Sequence, residues 1–586
     1  MDAEHDPVTL EVVKNALASA ADEMALVVLR SAYSPVVRDT MDYSTALMDR
    51  EGRLIAQGLT LAVQLGSFPD VMRHLLAEFG EDMRDGDVFA CNDPYGAGGQ
   101  HLPDIYVIRP VFVAGERVGF AGTIAHHCDV GGIAPGSVAI HATEIFQEGL
   151  RLPIVKLVEA HQPVRSLFRI LEKNTRNPVH LLGDIRAQIA ACETGARSLR
   201  DLVGRFGAAR LSGMFEAIQD QAERLMRAAI ATIPDGSWCF EDWIDGLGED
   251  PEPVRIAVRV TVAGDELTID FSGTSRQVAG AINAPVAMAR SASFCAARCL
   301  AGPDLPNCEG YMRAIDVRVP EGTVLNPTMP AACGARGVMG YRAFEAIMGA
   351  LVQAVPDRVI AACEGGPTLF SVGGWRDGKS WTLTEVMVGA WGARLGLDGL
   401  EGVSNPAANL SNQPIELIEA EYPIEIVRYG FVADSAGPGR WRGGAAFERA
   451  FRLRSGEAEF TCRADRRRHP PFGLAGGGSG APSLNVLLRA DGRREVLPTM
   501  PMRSYRIRAG DIFHHVSAGG GGFGPAWERD PEAVARDVGD ELVSIEAARR
   551  DYGVAIDPVS GTVDQAATVT LRKVASADKL PNRHVA

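Results

Sequence analysis

Nowhere in the 586 residues does an apolar run approach the roughly 18 consecutive apolar residues that a membrane span requires. The chain also lacks any CxxC pair. Its ten cysteines are scattered, which excludes a disulfide frame or a cysteine zinc site and fits reduced thiols. Positive charge is in deficit, 59 Lys and Arg against 74 Asp and Glu for a formal net charge of −15, so there is no electrostatic footprint for nucleic acid or an anionic membrane surface. A GxSxG elbow is absent, which removes a serine hydrolase of the α/β type. The acidic opening MDAEHDPVTL lacks the positive charge that precedes the apolar run of a secretory signal. These absences together predict a cytoplasmic protein.

What is present is an ordinary globular composition, 46% hydrophobic and 23% charged, with glycine enriched at 64 residues. The spacing of apolar residues predicts an amphipathic helix opening at Asp6-Pro7, another around Val71 to Phe79, and a long one over 174–233 broken near Gly204 to Gly207. Hairpins are predicted at IYVIRPVFV-AGE-RVGFAGTIAHH and IAVRVTV-AGDE-LTIDFSG, and a helix over Tyr341 to Val355. Short strands and glycine turns dominate from Thr368, and a last helical segment after Asp530-Pro531 ends in a polar tail. The fold class read from this is α+β and multidomain, with a helical and hairpin N-terminal half and a strand- and glycine-rich C-terminal half. The boundaries are 1–235, 236–365, 366–529 and 530–586, the last a helix and tail.

Two patterns imitate nucleotide sites. Gly373 to Ser380 matches the phosphate-loop signature, but WTLTEVMV follows it, a strand rather than the helix whose N-terminal amides would hold the anion. Gly519, Gly521 and Gly524 satisfy GxGxxG, yet Pro525 follows and no helix is plausible before Pro531, so a structural glycine turn is expected. The basic run Arg466 to Arg468 reads as a solvated or ion-paired loop.

Chemistry concentrates elsewhere. Residues 101 to 129 hold His101, Asp104, His126, His127 and Asp129, five potential metal ligands around one hairpin. Antiparallel pairing about a turn at Gly115 sets Asp104 opposite His126, while His101 lies just before the strand in a glycine-rich segment able to fold back. Imidazole nitrogen and carboxylate oxygen at this spacing suit zinc, manganese or iron. Because successive strand residues face opposite ways, only one of His126 and His127 can face the site, and a slip of one residue exchanges them. Asp129 is then a partner that orients an imidazole, or a turn residue before Gly131-Gly132. Asp39 and Asp42, after the first helix, are helix caps or loop carboxylates; spacing does not choose.

These residues stand within motifs that resemble the B subunit of the hydantoinase/oxoprolinase family, to which acetone and acetophenone carboxylase subunits are related: DPVTLEVVKNAL, AYSPVVRDTMDYSTAL, NDPYGAGGQHLPD, AHHCDVGG, NQPIELIEAEYPI, DRRRHPPFGLAGG, GGGGFGP and DYGV, in order along nearly the whole chain. The resemblance implies a hetero-oligomer with a separate hydantoinase A-type subunit that binds ATP and magnesium and activates a small substrate. It implies a divalent metal, zinc foremost with manganese or iron as alternatives, held here by Asp42, His101, Asp104 and His126. Metal-assisted attack of water on a cyclic amide carbon, that of a hydantoin, 5-oxoproline or lactam, would follow, with His127 or Asp129 moving the proton. The alternatives are a component of an ATP-dependent carboxylase acting on a ketone, and a structural partner subunit. Gln100 stands where the family often has threonine.

Overall fold

The fold is that of a computed structural model describing residues 6–578; the opening residues 1–5 and the end of the expected polar tail, 579–586, lie outside the described residues. Helix α1 (Pro7–Ser31) starts as the sequence predicts, the Asp6 carboxylate accepting from the Val8 and Thr9 amides and proline filling the first turn where no donor is needed. Its buried stripe is Val13, Leu17, Ala21, Met24 and Val28. After the short α2 (Pro35–Arg38) come β1 (Tyr43–Asp49), β2 (Leu54–Gln57), α3 (Ala62–Leu65), α4 (Phe68–Phe79) and β3 (Val88–Cys91). The hairpin of β4 (Asp104–Val113) and β5 (Glu116–His126) follows, then β6 (Val155–Glu159) and β7 (Gln162–Pro163). These strands form one antiparallel sheet in the order β2-β1-β5-β4-β3-β6-β7.

The predicted pairing of Asp104 with His126 is present, but it arises differently. Ala114 and Gly115 form a two-residue turn, both at positive φ (51° and 85°), as such hairpins require. That tighter turn shifts the register by one, and an irregularity after Val111, which leaves Val118 unpaired, restores it.

Beyond α5 (Arg165–Lys173), the long helical stretch is two helices, α6 (Pro178–Phe206) and α7 (Ala208–Ile230), broken at Gly207. α6 packs against α1 on one side and β4 and β5 on the other, sealing that face of the hairpin. A second sheet holds β8 (Gly236–Ile244), β9 (Val254–Ala263), β10 (Glu266–Asp270) and β11 (Ile315–Arg318), with α8 (Val286–Arg298) between β10 and β11 in the chain and α9 (Gly337–Leu351) after β11. α9 begins four residues before the predicted Tyr341 and is buried along its whole length. Apolar side chains from Val13 to Phe523 form one contiguous core, and a smaller core lies among the C-terminal strands.

The phosphate-loop look-alike is the hairpin of β12 (Thr368–Arg376) and β13 (Lys379–Met387), turning at Asp377 and Gly378. Within the strand-rich half, NQPIELIEAEYPI also carries a short helix, Ile415–Glu421, which the strand pattern did not predict. Arg466 is fully buried and ion-paired with Asp242 and Glu345, the Arg467 guanidinium bonds the Ser483 and Leu497 carbonyls, and Arg468 is exposed, while the amides of 467–469 donate to Asp245, so the basic run is ion-paired at its first residue and solvated at its last. The helical segment after Asp530 is two helices, Pro531–Gly539 and Ile545–Tyr552, because Glu541 takes a positive φ and Ser544 caps the second. A third helix, Gln565–Asp578, occupies much of the predicted tail. Among the described residues no helix is long and apolar enough to cross a membrane.

Candidate functional site

Two backbone contacts and one buried asparagine gather the candidate ligands. The Asp104 amide donates to the His101 carbonyl (3.1 Å), making the turn that folds His101 back over the start of β4. Asn92 pins the approach to that turn, donating to the Leu102 and Leu150 carbonyls while its own side-chain oxygen accepts from the Leu152 amide. On the other side β1 pairs with β5, and the His126 amide donates to the Asp42 carbonyl (2.9 Å), extending that ladder by one residue. Asp42 therefore lies beside the histidine hairpin and is not a helix cap; Asp39 instead pairs with Arg38.

The four side chains are buried together. His101 Nε2 lies 3.3 Å from Asp104 Oδ2, and the His101 and His126 rings are 5.0 Å apart between centroids. Gln64 Nε2 donates to Asp42 Oδ1 at 2.9 Å, and the Gly334 carbonyl meets His101 Nδ1 at 2.9 Å. The second contact fixes the His101 tautomer: Nδ1 carries the proton, leaving Nε2 as a lone-pair donor. Asp104 Oδ2 is bonded by the Arg336 guanidinium, whose other contact is Gln100 Oε1. Gln100, the departure from threonine, thus braces Arg336 and donates to the Val63 carbonyl at 2.8 Å.

Burial, with the Asp104 charge beside it, pushes the Asp42 carboxyl up to about 7. Burial would raise Asp104 as well, but the Arg336 guanidinium bonded to it holds it below the usual carboxylate range. Both imidazoles are held neutral: His101 by burial and Arg336, His126 further down by burial and by His101.

His101 Nε2, Asp104 Oδ1 and His126 Nδ1 are buried without a hydrogen-bond partner. Such orphaned atoms are costly in an interior unless something binds them. In donor type they match a divalent ion, two imidazoles and two carboxylates. As they stand, among the described residues, no three of the His, Cys, Asp and Glu side chains converge on one point, and Arg336 occupies one Asp104 oxygen.

The two proton-moving candidates are not brought to this cluster. His127 follows His126 on the strand and faces the other way, its Nε2 3.1 Å from Gln188 Oε1 of α6. Asp129 Oδ1 accepts from the Gly131 and Arg176 amides and Thr175 Oγ1, and Oδ2 from the Gly136 amide and Arg176 Nη1, so both oxygens hold the loop. Of the two readings of Asp129, the turn residue is the one found.

Gln64, Gly334 and Arg336 touch the cluster but were not read from the sequence: Gln64 comes from α3, outside the hairpin, and nothing in hairpin spacing points to Gly334 and Arg336, more than 200 positions away. Glu148 anchors the distant segment, its carboxylate accepting from the Cys333 (3.0 Å) and Gly334 (2.5 Å) amides. Burial pushes its carboxyl up to about 8, partly opposed by those two amides. Because the folded value lies above the unfolded 4.5, stability is lost as pH climbs from 4.5 through about 8. Glu148→Gln removes that titration, so the Tm of the variant relative to the parent is expected to rise between about pH 5 and pH 8 in paired thermal melts. A difference independent of pH would contradict the shifted carboxyl.

The chain matches the family model described as Hydantoinase B/oxoprolinase over residues 6–526. It is 33% identical to the B subunit of a putative D-/L-hydantoinase from Pseudomonas sp. strain NS671, covering 97% of this chain and 98% of that protein. The crystal structure of ATP-dependent caprolactamase from Pseudomonas jessenii superposes with a TM-score of 0.90 at 32% identity, covering 97% of this chain and 100% of the other. Nucleotide-free acetone carboxylase shares the fold, with a TM-score of 0.93 at 20% identity over 100% of this chain and 84% of that one.

Proposed function

The chain belongs to the hydantoinase B/oxoprolinase family, and from that premise we propose that it is the metal-containing B subunit of an ATP-dependent hydrolase of cyclic amides. Its substrate class is the hydantoin, 5-oxoproline or lactam ring, and its partner an A-type subunit that binds ATP with magnesium. The observation that carries the reading is the buried meeting of Asp42, His101, Asp104 and His126 with three of their polar atoms unpartnered. A hairpin where the phosphate-loop pattern falls is consistent with ATP being bound by another chain.

Asp42, His101, Asp104 and His126 would hold zinc, manganese or iron, which when bound supplies Lewis acidity and a water of lowered pKa. The protein's own groups do the rest. The Gly334 carbonyl turns the His101 lone pair inward, and Gln64 fixes the Asp42 carboxylate. Burial of the whole cluster excludes bulk water from an activated substrate.

Elemental analysis of the purified chain beside a His101→Ala, His126→Ala double variant is the direct test. Near-stoichiometric zinc, manganese or iron is expected in the parent and not in the folded double variant. No metal in the parent, even after reconstitution with these ions in the presence of the partner subunit, would refute the site. Turnover of hydantoin, 5-oxoproline and caprolactam with partner and ATP tests the reaction class, and bicarbonate-dependent incorporation of carbon into a ketone would assign it to the carboxylases instead.

A further inference from the structure

Arg463, at the end of the strand Glu457–Arg463, is 6% exposed, yet its guanidinium meets no carboxylate at ion-pairing distance among the described residues. Nη1 reaches the Ala335 carbonyl at 3.4 Å and Nη2 the Pro367 carbonyl at 2.9 Å, while Nε is buried with no partner. Other fully buried arginines here are neutralised: Arg342 bonds Asp242 and Asp465, Arg449 bonds Glu385, and Arg466 bonds Asp242 and Glu345. A buried cation left unpaired is expensive, and proteins tolerate such a cost mainly where a ligand completes the pair.

The position of Arg463 says which ligand. Its Nη1 lies 3.1 Å from where a Cβ on Gly337 would be, so it sits on the N-terminal end of α9, the positive end of the helix dipole. Arg336, the residue before that helix, is 8% exposed and reaches Asp104 on the other side, and its Nε too is buried and unpartnered. Two guanidiniums therefore flank one helix end beside the cluster, and only one has a carboxylate. Planar guanidinium forks at a helix N-terminus match the oxygens of a phosphoryl or carboxylate group.

We propose that Arg463, with Arg336 beside it, forms an oxyanion-binding pocket of this site, holding the phosphoryl group of an activated substrate or the carboxylate that ring opening releases. The assignment of those two sources rests on the hydrolase reading; the anion site itself rests on the geometry alone.

The experiment titrates inorganic phosphate and, separately, acetate into the full chain, following thermal shift and calorimetry, for the parent and for Arg463→Met and Arg463→Lys. Phosphate or acetate is expected to stabilise the parent, and whichever binds identifies the source. Arg463→Met is expected to lower that affinity at least about tenfold, the scale of one charge-assisted pair. Its Tm should equal or exceed the parent's, since an uncompensated charge has been removed, a result that a purely structural arginine would not give. Arg463→Lys, which keeps the charge but loses the fork, should fall between the two and serves if the methionine variant does not fold. Neither anion stabilising the parent, or Arg463→Met binding within about twofold of the parent, overturns the proposal. Anion binding that depends on Arg463, in a chain that opens no cyclic amide with partner and ATP, would retire the hydrolase reading and leave this one standing.

Discussion

Replacing His126 with alanine is expected to leave less than about 1% of turnover in the assembled enzyme, the scale of loss when an essential group at a reaction centre is deleted. The argument is geometric. His126 is the cross-strand partner of Asp104, its ring lies 5.0 Å from that of His101, and its Nδ1 has nothing else to bind. The fold should survive, because the backbone bond from its amide to the Asp42 carbonyl is retained and only one buried side chain is truncated, at a cost of about 1 to 3 kcal/mol. His127→Ala is the matched control. It removes an equally buried imidazole from the next position, but one that faces α6 and Gln188, so it should lower Tm while keeping turnover within about tenfold of the parent. Steady-state rates and thermal melts on both variants decide. More than a few per cent of activity in His126→Ala would remove it from the site.

Gly520→Ala is expected to destabilise the chain by more than about 4 kcal/mol, enough that little folded protein would be recovered. A Cβ there would lie 2.0 Å from the Trp391 carbonyl oxygen, closer than any real contact. No single side chain can move aside, since the obstacle is main chain. The neighbours repeat the situation: on Gly519, Gly521 and Gly522 a Cβ would meet the backbone oxygens of Ser435, Phe472 and Pro438 at 1.9, 2.0 and 2.3 Å. The Gly520 and Gly521 amides donate to the Gly444 and Ala362 carbonyls, so the run is a strap of backbone threaded through other backbone. The control is Gly204→Ala, in α6 with open space around it, which should be neutral or stabilise by about 1 kcal/mol through helix propensity. Denaturant melts of the two variants, judged by midpoint, separate a packed glycine from a helical one.

The glycine strap shows where reading the sequence stops. The run at 519–524 is recognisable as structural because Pro525 forbids the helix of a dinucleotide fold, but that its neighbours would be segments near 391, 437 and 473 is a tertiary fact. The histidine hairpin is the opposite case. Strand alternation and a two-residue turn are local, so they set Asp104 opposite His126 before any packing is considered, and even the unforeseen Ala114-Gly115 turn was corrected by a local irregularity. The choice between His126 and His127 depended on register, which β1 pairing and the α6 face of the hairpin settle. Asp42 needed β1 to lie beside β5. The sequence left Asp129 between a turn residue and a proton carrier, because its partners, Thr175 and Arg176, come from a segment that the loop meets only in three dimensions.

By itself the sequence determined the elements whose causes lie within a few residues: the Asp6-capped helix, the break at Gly207, the hairpins, the strand where a phosphate loop would need a helix, and the pairing of Asp104 with His126. Side-chain period, turn chemistry and capping act over such distances, and they are written in order along the chain. Only the tertiary structure decided which charges are compensated. Arg342 and Arg466 find buried carboxylates from other elements, Arg336 crosses to Asp104, and Arg463 finds none among the described residues. Burial makes those differences matter, and burial belongs to the packed fold, where water no longer screens each charge from its neighbours.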